Sequence, residues 1–293
     1  MPSEIDLVGF APGLRLRLEA SDHVIKAAES AEEVRQALRL RYEVFYGEVL
    51  RRANPQQLDF DRFDPICDHL LVVETGTDRV IGTYRLNSSR DADYYAAQEF
   101  DIDAILRLTG KKLAIGRGCV AKHCRRRGVF MMLWKGIAEY MRRAGTRFLF
   151  GCLSMPAGEN LGRVASLYAY LLRKHYSAEE CRVYPLKPLP ALATLMRNPP
   201  EVEVIDEAAS RRLLPPLPIY LHAGAVVCGA PAYDPDFLTC DFFTLLDVED
   251  LTSAGNKLFR TPNHGSFESV KAFMRELGPH GLGHGRAASA IYE

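Results

Sequence analysis

Residues 111–120 read Lys-Lys-Leu-Ala-Ile-Gly-Arg-Gly-Cys-Val, and residues 121–134 continue Ala-Lys-His-Cys-Arg-Arg-Arg-Gly-Val-Phe-Met-Met-Leu-Trp. Leu113, Ile115 and Val120 are apolar and charged residues flank the run, which predicts a strand over about 112–120. From Gly128 onward, apolar side chains recur three and four residues apart, which predicts a helix. We expect this strand, basic loop and helix to form the centre of the fold.

The loop between this strand and helix has the composition of an anion site. Backbone N–H groups at the start of a helix lack partners within the helix, and the aligned peptide dipoles attract an anion there. Arg125, Arg126 and Arg127 add positive charge, Gly128 lets the backbone approach a phosphate, and Val129 follows it into the helix. The alternative is a solvated turn without a ligand, and these residues alone do not decide between the two.

The bulk composition excludes several classes of protein. The chain has 293 residues, 47% of them hydrophobic, and its 37 basic and 37 acidic residues balance, so there is no basic excess for nucleic acid. The first residues lack the basic and apolar segments of a signal peptide, and no apolar run reaches about 18 residues. Seven cysteines without a Cys-x-x-Cys pair are typical of reduced thiols. We expect a cytoplasmic protein with no bound cofactor or metal and no nucleic-acid partner.

The apolar pattern predicts a mixed α and β protein. The predicted elements besides the central ones are strands over 13–20, 69–74, 80–86, 146–152, 225–228 and 239–248, and helices over about 30–50, 101–109, 161–174 and 266–277. Because a helix joins the strands at 112–120 and 146–152, we expect these two strands to be parallel neighbours.

Prolines concentrate in residues 176–218, where they predict little regular structure. This span reads either as an insertion or lid over a site or as a plain surface excursion. We therefore divide the chain into a core over 13–175 and a second part over 176–293. In the second part, the Pro-rich excursion and the C-terminal strands and helix complete the same domain.

Sequence motifs of this chain resemble a known superfamily and one family within it. Arg125-x-x-Gly128 at the head of a helix resembles the pantetheine-pyrophosphate loop of the GNAT acyltransferases, Gln/Arg-x-x-Gly-x-Gly/Ala, although Phe130 replaces the last small residue. Eight segments between about residues 15 and 250 resemble, in order, the ornithine N-acyltransferases that make lyso-ornithine lipid. They are Arg41-Tyr-x-Val-Phe45, Asp61-x-x-Asp64, Cys67-Asp-His-Leu-Leu-Val72, Gly82-Thr-Tyr-Arg-Leu86, Gly116-Arg-x-Cys-Val120, Leu133-Trp-x-Gly-Ile137, Leu149-Phe-Gly-Cys152 and Cys228-Gly-x-Pro-Ala-Tyr-Asp-Pro-Asp-Phe237.

The resemblance implies a fold and an activity. The fold is a GNAT-like mixed central sheet flanked by helices, here with the Pro-rich insertion and a C-terminal extension. The activity is transfer of a fatty acyl group, often 3-hydroxylated, from the thioester of acyl carrier protein to the α-amine of an amino acid. The resemblance favours ornithine as that amino acid. The acyl-homoserine lactone synthases share the first-half pattern but lack the Cys-Gly-x-Pro-Ala region, so they rank second. A GNAT-fold protein that binds acyl carrier protein with weak or no catalysis is a further alternative.

The resemblance also implies site residues. Arg117 and Arg85 align with arginines that shape the acceptor site, and either guanidinium suits a carboxylate. Their alternative role is a salt bridge to a nearby aspartate. We assign Asp64 to catalysis with them. We assign Arg41, Phe45, Asp61, Gly116 and Cys119 to substrate binding, and residues 125–129 (Arg125, Arg126, Arg127, Gly128, Val129) to the phosphopantetheine arm of the donor.

Position 114 departs from the family pattern. The family usually carries a glutamate two residues before the Gly-Arg pair as its favoured general base, and here Ala114 stands there. Alanine takes no proton, so a water chain, Asp64 or His69 replaces the glutamate, or the activity is altered or lost. A neutral amine must attack the thioester, and the oxyanion then needs a donor. In GNAT folds a splayed strand provides that donor, and the strand at 112–120 is our candidate.

The segment 122–143 carries an uneven charge. It contains seven basic residues and one acidic residue, Glu139. Such a patch would attract the acidic acyl carrier protein, and it would also suit anionic lipid headgroups at the inner membrane face. An ordinary uneven surface of a neutral protein is the alternative.

Overall fold

The structure is a computed structural model that describes residues 5–88, 92–125, 128–158, 161–197 and 207–260. Its main sheet has the strand order β1-β2-β3-β4-β6-β7-β11-β10, with β9 beside β11, and a small sheet pairs β5 with β8. The strands are β1 Arg17–Ala20, β2 His23–Ala27, β3 Asp68–Glu74, β4 Arg79–Asn87, β5 Phe100–Asp101, β6 Lys112–Val120, β7 Phe148–Pro156, β8 Tyr184–Pro185, β9 Val226–Val227, β10 Ala232–Asp234 and β11 Thr239–Asp247.

Helices flank this sheet. They are α1 Ala31–Arg41, α2 Asp103–Arg107, α3 Val129–Ala144, α4 Leu161–Lys174, α5 Pro190–Arg197, α6 Glu207–Leu213, α7 Leu217–Ala223 and α8 Ser253–Phe259. A π-helix, Tyr42–Leu50, continues α1, and short 3-10 turns lie at Asp64–Ile66, Tyr95–Gln98, Lys122–Cys124 and Glu179–Cys181. The Ser30 side chain caps α1 by accepting a hydrogen bond from the Glu33 amide. The expected mixed sheet flanked by helices is confirmed.

The two central strands separate part-way along their length. β6 and β7 are parallel neighbours joined by α3, as the sequence predicted, but they pair only from Lys112↔Phe148 to Ile115↔Gly151. Beyond that pair β7 continues against β11, while β6 continues against β4. From Gly116 to Val120, no described strand pairs with the edge of β6 that faced β7.

The pairing register sorts the side chains onto two faces of the sheet. One face carries Tyr84, Leu86, Ile115, Leu149 and Leu153, which pack in the main core; α3 covers this face through contacts such as Tyr84 with Phe130. The other face carries polar residues at aligned positions: Arg85 opposite Gly116, Asn87 opposite Ala114, and Asp241 opposite Ser154. α1 lies on this second face.

Several expectations need correction. The predicted strand at 13–20 is a hairpin, β1 with β2, and β10 and α8 were not anticipated. The Pro-rich span is not poor in regular structure, because it contains α5, α6 and the first residues of α7. Pro190 opens α5 and Pro216 caps α7, positions where the missing N–H of proline has no cost. Tyr220 of α7, just beyond this span, packs edge-on against Trp134 in the core. The helix predicted over 266–277 lies outside the described residues.

Candidate active site

A cavity of about 110 Å³ opens on the polar face where β6 and β7 part. Its floor is formed by residues 114–118 of β6 and by Gly151, Cys152 and Ser154 of β7. Its aromatic walls are Phe45, Phe63, Tyr95 and Phe237, and its polar walls are Arg85, Asn87, Asp234, Thr239 and Asp241 together with Arg117. A second cavity of about 240 Å³ shares Phe63, Tyr95, Arg117 and Phe237 with the first. The guanidinium of Arg117 thus stands between two openings.

Arg117 is placed by a bulge in β6. Thr83 pairs with Cys119 and Arg85 pairs with Gly116, so Tyr84 alone faces two residues, Arg117 and Gly118. The backbone of Arg117 has φ +53°, a left-handed conformation that a non-glycine residue adopts at a cost of about 1–3 kcal/mol. Gly118 lets the Tyr84 ring close over the bulge, because a Cβ there would lie 2.3 Å from Cζ of Tyr84. The bulge therefore keeps the Arg117 side chain at the cavity.

Arg41 lies in a buried charge cluster behind the cavity. Its Nε donates to Asp59 Oδ2 at 2.7 Å and its Nη1 donates to Asp64 Oδ1 at 2.6 Å. The side chain is 1% exposed and does not line the cavity. The two aspartates use its donors. Arg41, which the sequence assigned to substrate binding, therefore lies in a buried ion-pair cluster.

Arg85 and Arg117 both reach the cavity but are held differently. Arg85 Nη1 donates to Asp61 Oδ1 at 2.6 Å and to Asp64 Oδ1 at 3.2 Å. The ion pairs of Arg117 are longer, from Nη2 to Asp61 at 3.4 Å and from Nε to Asp59 at 3.6 Å. The salt bridges considered as the alternative role for these arginines are therefore present, and those of Arg117 are the weaker ones.

Two aromatic rings orient the Arg117 guanidinium. Its central carbon lies 4.8 Å from the ring centroid of Tyr95 and 4.5 Å from that of Phe237. Its Nε is buried without a hydrogen-bond partner among the described residues. Burial lowers the pKa of Arg117, but Asp59, Tyr95 and Asp61 outweigh it and raise that pKa, so the group stays cationic. A fixed cation with an unused donor suits a substrate carboxylate.

Neither sequence candidate for the proton acceptor reaches the cavity. Burial raises the pKa of Asp64, but Arg41 and Arg85 outweigh it and hold that pKa well below its usual range. His69 is fully buried, its Nε2 lies 3.0 Å from the Asp64 carbonyl, and burial lowers its pKa. Ala114, in contrast, lines the cavity. The position of the family's glutamate thus faces the site and carries no acid.

Four polar side chains form a cluster that we call the acidic corner. Asp234, Asp241 and Cys152 line the cavity, and Glu99 lies beside Cys152 and Asp241. One ligand-type atom each of Glu99, Cys152 and Asp241 lie within 4.8 Å of one another. Burial, followed by Asp241 and Asp234, raises the pKa of Glu99 to about 9. Burial likewise raises the pKa of Asp241 to about 6, although Thr239 donates to it at 2.8 Å. Sequence motifs pointed to Asp234 and Cys152 only; an aspartate inside the otherwise buried β11 was the available signal for Asp241.

The remaining predicted substrate residues divide by position. Phe45 and Gly116 line the first cavity, and Asp61 lines the second. Phe45 meets Phe237 edge-to-face at 6.0 Å between ring centroids. Cys119 does not line the cavity and is fully buried in the core.

The predicted phosphopantetheine loop is described only at its two ends. Gly128 precedes α3 with φ +75°, and the first helical hydrogen bond runs from Met132 N to Gly128 O, so the amides of residues 129–131 have no acceptor in the helix. Arg125 is held by Glu48 of the π-helix through two hydrogen bonds of 2.7 and 2.8 Å, which occupy its terminal donors. Arg126 and Arg127 lie outside the described residues.

The basic segment 122–143 is less of a free patch than its sequence indicates. Lys135 is buried, and Arg142 and Arg143 both pair with Glu139 at the far end of α3. With Arg125 bound to Glu48, Lys122 is the exposed basic residue that forms no ion pair within the described part of this segment, since the exposed Arg142 and Arg143 pair with Glu139. Any attraction for an acidic partner would therefore depend on residues 122–127 at the start of α3.

Comparison with known proteins identifies the family. A model described as an acetyltransferase (GNAT) domain matches residues 40–135. An L-ornithine N(alpha)-acyltransferase of Brucella abortus is 30% identical over 248 residues, which are 78% of this chain and 85% of that protein. The chain belongs to the L-ornithine Nα-acyltransferase family. A further family member, from Rhodobacter capsulatus, is 31% identical over 80% of this chain and 93% of its own length.

Membership in this family makes the protein an acyltransferase and an enzyme. Among solved structures, the N-acyl amino acid synthase FeeM from uncultured soil microbes aligns with 10% identity and a TM-score of 0.43, over 78% of this chain and 92% of that one. The CoA-dependent acyl-homoserine lactone synthase MesI aligns with 14% identity and a TM-score of 0.44, over 84% and 88%. No helix in the described part of the chain is long and apolar enough to cross a bilayer.

Proposed function

We propose that this N-acyltransferase moves a fatty acyl group, 3-hydroxylated in the usual family reaction, from the phosphopantetheine thioester of acyl carrier protein to the α-amine of ornithine. The relatives named L-ornithine N(alpha)-acyltransferase support the acceptor. The resemblance supports the carrier protein as the acyl donor. The amides of residues 129–131, which have no acceptor within α3, support a phosphate-bearing donor.

The separation of β6 from β7 after Ile115 and Gly151 is the observation that carries this proposal. Beyond this point no described strand pairs with that edge of β6, and the edge borders a cavity lined by the Arg117 guanidinium. A pantetheine arm is extended and carries amides, so it can lie along such an edge and hydrogen-bond to it as an added strand would. The thioester carbon then lies near residues 116–118, beside the acceptor cavity.

The chemistry exchanges one bond for another. The acceptor nitrogen attacks the thioester carbon, a C–N bond forms, the C–S bond breaks, and the thiolate leaves and takes up a proton. The negative oxygen of the intermediate requires a fixed donor, and a backbone amide on the free edge of β6 supplies it in this proposal. Arg117 binds the carboxylate of the acceptor, because its own ion pairs are long and its Nε is unused.

The proton of the α-ammonium must leave before the attack. Asp64 and His69 are buried away from the cavity, and Ala114 has no acid. Of the routes considered from the sequence, a water chain through the cavity is the one that this geometry favours. Turnover should therefore rise with pH as the acceptor amine is deprotonated in solution.

The direct test supplies 3-hydroxyacyl carrier protein or the matching acyl-CoA, together with ornithine, and measures thiol release and the mass of the product. We expect N-acylated ornithine and a higher kcat/KM with the carrier protein. Release of methylthioadenosine with S-adenosylmethionine as acceptor would instead identify a signal synthase. Carrier-protein binding without thiol release would identify a binding protein.

A variant of Arg117 tests the acceptor model. Arg117→Lys keeps the charge but loses the planar fork, so we expect KM for ornithine to rise roughly tenfold or more with a smaller change in kcat. The control acceptor is ornithine methyl ester, which lacks the carboxylate. An equal loss with the ester would show that Arg117 does not bind the carboxylate.

A further inference from the structure

The acidic corner contains a carboxylate whose surroundings do not satisfy it. Glu99 is 9% exposed, and neither of its carboxylate oxygens accepts a hydrogen bond from an N–H or O–H group of the described residues; the thiol of Cys152, a weak donor, lies beside it. Its polar neighbours in the cluster are Cys152 and Asp241, both of which line the cavity. A carboxyl group that is buried without a strong hydrogen-bond donor destabilises the folded protein, because its transfer from water to apolar surroundings costs several kcal/mol.

None of the described lysines and arginines forms an ion pair with Glu99, Asp234 or Asp241, the acids of this corner. The contrast with the other side of the cavity is direct, because there the aspartates 59, 61 and 64 are all paired with arginines. The cavity is therefore divided into a side with a fixed cation, Arg117, and a side with unpaired acids.

This division matches the charges of a diamino acid. Such an acceptor carries a carboxylate at one end and a second ammonium at the end of its side chain. We propose that the acidic corner is a cation subsite in which Glu99 and Asp241 bind the side-chain ammonium of the acceptor, while Arg117 binds its carboxylate. This inference rests on the proposed function, and it deepens that function by assigning the residues that select the acceptor.

The chemistry of the corner favours an ammonium over a divalent metal. Metals of the kind that thiols bind require the thiolate. Burial and the neighbouring Glu99 and Asp241 raise the pKa of Cys152 well above its usual range, so its thiol stays protonated. An ammonium instead supplies three donors to carboxylate oxygens. Its arrival would favour the ionised form of Glu99, whose pKa is raised to about 9 by burial and by the neighbouring aspartates.

The test compares ornithine with norvaline, which has the same carbon skeleton without the terminal amine. The wild-type enzyme should prefer ornithine in kcat/KM. Glu99→Gln and Asp241→Asn should each lower kcat/KM for ornithine by roughly tenfold to a hundredfold and leave the value for norvaline within about twofold. The matched control is Asp247→Asn on the same strand, where the carboxylate pairs with Arg147 and should not affect the preference.

A binding measurement separates recognition from turnover and from folding. Calorimetry with ornithine, without an acyl donor, should detect weaker binding to Glu99→Gln than to the wild type. The melting temperature of Glu99→Gln should be equal or higher, because the change removes an unsatisfied buried acid. An equal loss of activity with both acceptors would overturn the subsite and indicate a proton acceptor instead, and loss of activity with a chelator would indicate a metal. Absence of acylation with every acceptor would overturn the proposed function itself.

Discussion

Ile115 and Gly151 form the last pair between the parallel strands β6 and β7, and the active-site cavity begins directly beyond them. The pair is close because Gly151 has no side chain. A Cβ on Gly151 would lie 2.4 Å from the carbonyl oxygen of Ile115, a backbone atom that cannot rotate away. The point where the sheet opens therefore depends on one glycine.

Gly151→Ala should force the two strands apart where they are still paired. We expect a loss of about 1–3 kcal/mol in the free energy of unfolding, as for other overpacked sites, together with reduced activity. Urea unfolding measures the first effect. Gly162→Ala is the control, since no atom lies within 4 Å of its Cβ position in α4, and it should change stability by less than about 1 kcal/mol. Equal stability of both variants would contradict the close approach.

Gly116→Ala should separate activity from stability. Position 116 lines the cavity, and a Cβ there would meet no atom within 4 Å, so the added methyl group occupies substrate space. We expect an unchanged melting temperature and a kcat/KM reduced roughly tenfold. Gly118→Ala, two residues along the same strand, would contact the Tyr84 ring and should lose stability as well. Full activity of Gly116→Ala would show that the acyl donor does not pass this position.

Asp64→Asn should be among the most destabilising single changes in the site. It leaves Arg41 buried with one partner, and breaking a buried ion pair costs about 3–5 kcal/mol. Arg39→Gln removes an exposed pair with Glu32 on the same helix and should cost less than about 1 kcal/mol. Chemical unfolding of both variants measures the difference, and similar costs would refute the structural role of Asp64.

The same aspartate predicts a dependence of stability on pH. The pKa of Asp64 is lower in the folded protein than its usual value of about 3.9. Its contribution is therefore complete above about pH 4 and is lost as the pH falls towards the folded pKa. Wild-type stability should decrease on this acid limb, and Asp64→Asn should show a shallower slope.

Ala114→Glu tests whether the site lacks a general base. The position lines the cavity opposite Asn87, so a glutamate side chain enters the site without entering the main core. We expect the fold to be kept and the rate to rise, most clearly below neutral pH, where the acceptor amine is largely protonated. Ala114→Gln has the same shape without a base and should give no gain. If Ala114→Glu also gives none while the wild type is already fast, another group accepts the proton.

Reversing charge at the start of α3 tests the carrier-protein donor. Arg126→Glu with Arg127→Glu should raise KM for acyl carrier protein at low salt and change KM for acyl-CoA less, because the carrier protein presents a larger acidic surface. The control is Arg142→Glu with Arg143→Glu at the other end of α3, roughly 24 Å away for a helix of this length. Equal effects of the two pairs would contradict docking at the start of α3.

The sequence by itself determined the central unit and the family. Apolar spacing predicted β6 at its observed bounds, α3 nearly so, and the parallel pairing of β6 with β7, because these signals depend on neighbours along the chain. The ordered motifs predicted the GNAT-like sheet, and they included Arg117 and Arg85 at what became the cavity. Local patterns could supply this much without any knowledge of packing.

Only the tertiary structure decided how each charge is used. Arg41 and Arg117 both stand in family motifs, yet their ion pairs differ. Two aspartates hold Arg41 at 2.6–2.7 Å, whereas the ion pairs of Arg117 are 3.4 Å or longer. Glu99 and Asp241 are 142 positions apart by their numbers and meet only because β11 joins the sheet beside β7. Electrostatic energy depends on distance through space and on burial, and neither can be read from the order of residues along a chain.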